Sequence, residues 1–224
     1  ILGIDCSLIT VEEVDTSVVP DSGPSVVSRN VFIITKLVER CCQTIQKKRF
    51  RNPLPIEVKR SYKLPKTFRW DERTFTGKPF PALSWGAAVV EVEIDPISLE
   101  SSIRGIWMAL DCGKIYDANA AKKSAGEEII HVLDWIASKG VGPYCGEGSN
   151  WKKYTIDFKN EYNMLPISID FLVTEKQPMA GGLGDLPANL IPAAYVSAVS
   201  QATGLYIDSI PVSPQLIYRY LEEQ

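Results

Sequence analysis

Two stretches of this 224-residue chain set small residues and polar side chains just ahead of a helix. In "DSGPSVVSR" (21–29), Ser22, Ser25 and Ser28 supply hydroxyls, with Gly23, Pro24, Val26 and Val27 between them. Gly23 permits close backbone approach, and the helix behind aims N–H groups forward. That combination makes a cradle for a phosphate or a polar heterocycle. In "GGLGDLP" (181–187), Gly181, Gly182 and Gly184 leave room for something bulky to approach the carboxylate of Asp185. Each stretch also has a plainer reading. Ser28 and Asp185 are both good helix caps, and a carboxylate at a helix start suits the dipole. Taken alone, capping is the weightier reading of both.

Other chemistry is thinly supplied. The five cysteines, Cys6, Cys41, Cys42, Cys112 and Cys145, show no C-x-x-C or Cys/His spacing. With one histidine, His131, a zinc or iron–sulfur site built by this chain alone is not expected. The thiols read as reduced and mostly buried, in a cytoplasmic protein. His131 lies in the helical stretch "GEEIIHVLDWI" with no serine nucleophile signature nearby, which excludes a Ser-His-Asp triad and makes it a surface or packing residue. A net charge of −3 gives no case for nucleic acid or an anionic membrane, and no apolar run is long enough for a transmembrane helix. The basic stretch at 47–66 reads as a solvated connector.

The elements that must position these loops follow from periodicity. The opening "ILGIDCSLITVEEVDT" has no methionine and no signal peptide, and reads as a chain cut from something longer or beginning mid-domain. Residues 9–14 alternate as a strand, and 16–28 form a loop. Phe32, Ile33, Leu37, Cys41 and Ile45 repeat at helical spacing, with lysines at the C-terminal end. Residues 51–82 form an irregular, extended connector. Val90, Val92 and Ile94 alternate with Glu91 and Glu93, and 86–113 predicts a β-hairpin. Ser124-Ala-Gly-Glu127 has capping-box spacing before a helix that closes at Gly140. A loop over 142–154, a strand over 166–175, a helix over 188–204 closed by Gly204, and a terminal helix with Pro214 at its first position complete the chain. The class is α+β, with mixed sheets and packed helices.

In order, the pieces resemble one family, the molybdenum hydroxylases, which include xanthine dehydrogenase and aldehyde oxidase. "VEEVDTSVVPDSGPSVVSRN" is similar to the family's strand, "DT", proline loop and "SR" segment. "SWGAAVVEVEIDPISLESSIRGIWMALDCGKIYDAN" resembles its "EVEID" hairpin and "D-x-G" turn. "GGLGDLPANLIPAAYVSAVSQATGLYIDSIPVSPQLIYRYL" resembles its closing segment, where a "G-x-GE-x-P" loop precedes an alanine-rich helix. The resemblance places residues 1–224 in the C-terminal part of the large molybdopterin-binding subunit.

What the resemblance implies is specific. The 22–28 loop, with Gly182 and Gly184, would contact a molybdopterin whose dithiolene carries the molybdenum, and the protein would give no direct metal ligand. The family's acid in the last loop is a glutamate, a base toward the hydroxyl that attacks an electron-poor carbon of an aldehyde or N-heterocycle. Here the acid is Asp185, one methylene shorter. Counting without gaps from Asp111-Cys112-Gly113 puts Ser124 where the family carries a cofactor-contacting glutamine. The stretch between Val141 and Ser149 is short against the family's usual insertion. Iron–sulfur clusters and FAD are expected on other domains or subunits, beside the remaining molybdopterin-binding domain, and a homodimer stays open. The alternative is a catalytically degenerate paralogue that keeps the fold as a structural or binding subunit.

Overall fold

The structure is a computed structural model that describes residues 1–19, 21–26, 28–63, 69–80, 82–136, 165–172 and 181–223. The expected Gly140 cap, the 142–154 loop, the 141–149 stretch, Cys145, Val27 and the end of the 166–175 strand lie outside the described residues. The chain divides into two compact units, Ile1–Leu83 with Pro178–Gly182, and Ser84–Gln177 with Leu183–Gln224.

The first unit is built on α1 (Arg29–Lys48), which has no buried residue. Its helical repeat and terminal Lys47 and Lys48 are as the sequence predicts. The segment after it runs back along α1. Arg60 donates to Thr44 Oγ1 at 2.9 Å, and Cys41 Sγ lies 3.9 Å from the Val58 carbonyl oxygen. Two expectations are corrected here. Residues 9–14 are not a strand. Cys6–Leu8 form a single 3-10 turn capped by Asp5, and the alternating residues beyond it are exposed. Alternation makes a strand only where a neighbouring strand takes up the backbone groups. The 51–82 connector, in turn, holds a short hairpin, β1 (Arg69–Asp71) antiparallel to β2 (Thr76–Lys78).

The second unit holds every buried hydrophobic residue among those described. β3 (Trp85–Ile94) and β4 (Ser101–Asp111) form the predicted hairpin, and β5 (Ile167–Phe171) joins β4 in parallel. The sheet is therefore mixed, in the order β3-β4-β5. A parallel neighbour needs a crossover, and α2 (Ala118–Ile136) lies in that connection. Val90, Val92 and Ile94 face the core, as their alternation with Glu91 and Glu93 requires. They meet Ile106, Met108 and Leu110 of β4 and Ile169 of β5 under Ile129, Leu133 and Ile136 of α2. The α3 helix (Leu186–Thr203) buries Pro187, Ile191, Tyr195 and Val199, one residue every four, so a single stripe faces inward. Gly86 permits a close approach of that helix. A methyl there would stand 2.7 Å from Leu190 Cδ1 and 2.8 Å from Leu110 Cδ2. Gly204, at φ 73°, ends α3 as a left-handed cap. The last helix, α4 (Pro214–Glu222), is capped by Ser213 and buries Ile217.

Helix α2 corrects a third expectation. It starts at Ala118, well before the Ser124–Glu127 spacing. Asp117 Oδ1 accepts from the Asn119 and Ala120 N–H groups at 2.9 Å each. A good cap followed by an alanine-rich run nucleates the helix earlier, which leaves Ser124 in its interior and exposed. The cysteines also differ from expectation. Cys112 is buried, Cys41 and Cys42 are half-buried, and Cys6 is exposed. Among the described residues no helix is long and apolar enough to cross a membrane.

Candidate functional site

The 22–28 loop is organised by one side chain. Arg29 folds back and donates through Nη1 to the carbonyls of Ser22 and Pro24, each at 3.0 Å. Gly23 sits at φ 71° with its N–H on Asp21 Oδ1 at 2.7 Å, and Arg29 packs against it. Asn30 donates to Ser25 Oγ at 2.7 Å. Arg29 thus holds the carbonyls of Ser22 and Pro24, and Asn30 the Ser25 hydroxyl, from the first turn of α1. Ser22 and Ser25 are exposed, as are Pro24 and Val26. Ser28 stands at the N-cap position of α1, but its side chain makes no capping bond.

Gly182 belongs to the same unit and meets Ser28. It has φ 80°, and a methyl at this position would overlap the Ser28 hydroxyl and sit 2.5 Å from Ser28 Cβ. Only a residue without a Cβ allows that approach. Two loops far apart in sequence are therefore in contact through a serine and a glycine.

Gly184 and Asp185 lie in the second unit, ahead of α3. Gly184 takes φ 57°, with open space around it. Asp185 is at the N-cap position, yet its φ of −92° and ψ of 29° are not the extended values of a working cap, and its side chain makes no cap hydrogen bond. The first turn is satisfied by other means. Leu186 N–H donates to the Leu183 carbonyl at 3.3 Å, Pro187 has no N–H, and Ala188 N–H donates to Glu128 Oε1 at 3.4 Å. The capping reading of Asp185 is thus corrected: Glu128, from α2, occupies the cap.

Sequence reasoning missed Glu128, since a cap supplied from another helix leaves no local pattern. Burial raises the Glu128 carboxyl above the ordinary glutamate range, the Ala188 N–H opposes the shift, and the charge of Asp185 adds to it. Cys112 is buried in the core, and that burial pushes its thiol up. His131 is exposed on α2. Among the described residues, no group of three His, Cys, Asp or Glu side chains could hold a metal ion. The groups on hand for a cofactor are hydroxyls, backbone and carboxylates. The exposed hydroxyls and backbone groups among them can hydrogen-bond a polar, heteroatom-rich ligand.

A family described as the molybdopterin cofactor-binding domain matches residues 48–123. The chain is 22% identical to an aldehyde oxidoreductase of Megalodesulfovibrio gigas over 93% of its own length and 24% of that protein. It is 30% identical to a xanthine dehydrogenase/oxidase of Gallus gallus, over 42% of its own length and 8% of the other. The chain is similar to members of the molybdenum hydroxylase family. The likeness is to a molybdopterin cofactor-binding domain over 48–123 and to xanthine dehydrogenase/aldehyde oxidoreductase-type proteins over longer stretches. The fold agrees. A solved aldehyde oxidoreductase from Desulfovibrio gigas superposes with a TM-score of 0.51 at 21% identity, over 66% of this chain and 16% of that one. The chain thus spans about a quarter or less of the length of these relatives.

Proposed function

We propose that this chain is part of a molybdenum-hydroxylase-type oxidoreductase that hydroxylates an aldehyde or an N-heterocycle, with Asp185 as general base. The observation that carries this reading is the unspent carboxylate: Asp185 stands exposed at a helix start, directly after Gly184, and takes no part in capping the helix. A carboxylate held at a helix N-terminus without a structural bond is available to accept a proton at Oδ. Ser22, Gly23, Pro24, Ser25, Val26, Val27 and Ser28, with Gly182, would hold the cofactor through hydroxyl and backbone groups, and Gly184 and Ser124 would complete the set. The cofactor, when bound, supplies the two-electron oxidation. Asp185 takes the proton from the attacking hydroxyl, and its neighbouring glycines keep bulk away from substrate. Iron–sulfur and FAD modules, and the remaining molybdopterin-binding domain, belong to other domains or subunits in this reading.

The test is Asp185→Ala in the intact enzyme. Loss of a general base lowers kcat by about 10²–10⁴-fold with cofactor content and melting unchanged. Asp185→Glu restores the methylene and retains or raises turnover. Unchanged turnover in the alanine variant removes Asp185 from the catalytic residues. The shortened acid and the exposed, mid-helix Ser124 favour a second reading, a degenerate paralogue that keeps the fold as a binding subunit. Molybdenum near one equivalent in the native complex supports the enzyme, and its absence there supports the paralogue.

A further inference from the structure

We infer that Glu128 is a positioning residue for Asp185: it caps α3 from α2 and so keeps the Asp185 carboxylate off the helix. The inference rests on hydrogen-bond accounting. An N-cap side chain can accept only from the second or third N–H of the helix. The second residue here is Pro187, which has none, and the first N–H is held by Leu183. One donor remains, Ala188 N–H, and Glu128 Oε1 holds it at 3.4 Å. Glu128 and Asp185 are therefore competitors for a single donor. Asp185 is the local residue and would take it by default. Gly184, with open space around it and φ 57°, gives the chain the freedom to turn Asp185 onto the helix once Glu128 is gone. Glu128 is half-buried between its own helix and α3, so its reach is set by packing rather than by a free side chain. The Asp185 charge adds to the upward shift that burial imposes on the Glu128 carboxyl.

The catalytic consequence depends on Asp185 being the base; the exchange of caps does not. Five proteins test both in the intact enzyme: wild type, Glu128→Ala, Asp185→Ala, the double variant and Glu128→Gln. Each single alanine variant lowers Tm little, because the other carboxylate supplies the cap. The double variant lowers Tm by more than the sum of the two. Glu128→Ala loses about 10²-fold in kcat with KM unchanged, since the base has been drawn onto the helix. Glu128→Gln keeps an acceptor for Ala188 and retains turnover. Additive Tm shifts overturn the inference, as does a Glu128→Gln variant that loses as much kcat as Glu128→Ala. A non-additive cycle with normal turnover in Asp185→Ala leaves the cap exchange standing and removes the base. An inactive Asp185→Ala with an additive cycle does the reverse.

Discussion

Replacing Gly182 by alanine probes the contact that joins the two small-residue loops. The residue has φ 80°, and an added methyl would overlap the Ser28 hydroxyl and lie 2.5 Å from Ser28 Cβ. A left-handed backbone costs an alanine about 1–2 kcal/mol, and overpacking adds about 1–3 kcal/mol. The first unit has no buried residue among those described, so it cannot hold such strain in place. The loop is expected to move. Gly182→Ala should therefore lower the melting temperature and reduce molybdenum bound per chain in the intact enzyme. A suppressor sharpens the test. Ser28→Gly removes both atoms that the methyl meets, and it costs only a few tenths of a kcal/mol as an N-cap change. Ser28 makes no capping bond to lose. In the Gly182→Ala background it should recover the overpacking share and leave the backbone share. Unchanged melting and cofactor content in Gly182→Ala would refute the contact, and a further loss on adding Ser28→Gly would refute its steric origin.

Gly86→Ala places a methyl 2.7 Å from Leu190 Cδ1 and 2.8 Å from Leu110 Cδ2. These are the ends of flexible side chains, so chemical denaturation should report a loss of about 1–3 kcal/mol, and a neutral result would contradict the close packing of α3 on β3. Glu128 carries a pH dependence of definite sign. Burial holds its folded carboxyl above the ordinary glutamate range, so its contribution to stability is greatest at pH below that range and is lost as pH rises through the folded pKa. Glu128→Gln stays neutral throughout, so its melting temperature should rise relative to wild type between acid and neutral pH. A gap that shrinks over that interval would reverse the assignment.

The sequence by itself determined the elements whose pattern is local. The repeat through Phe32, Leu37 and Ile45 specified α1, the alternation of Val90, Val92 and Ile94 specified a half-buried strand, and Pro214 and Gly204 marked a helix start and a helix end. The order of its motifs carries the resemblance to the molybdenum hydroxylases, and the matches to aldehyde oxidoreductase and xanthine dehydrogenase agree with it. Alternation over 9–14 misled because a strand exists only with a partner, and no partner pairs there among the described residues. The Ser124–Glu127 spacing misled because Asp117 captures the Asn119 and Ala120 N–H groups first. What only the tertiary structure decided is which side chain spends itself where. Asp185 and Ser28 both read as caps from their neighbours in the chain, and neither forms a cap bond. Ser28 packs on a glycine from the last loop, and the donor that Asp185 would have taken is held by Glu128 across the packed helices. A cap is a local rule only when no other acceptor reaches the same N–H, and that reach is a property of packing, not of sequence spacing.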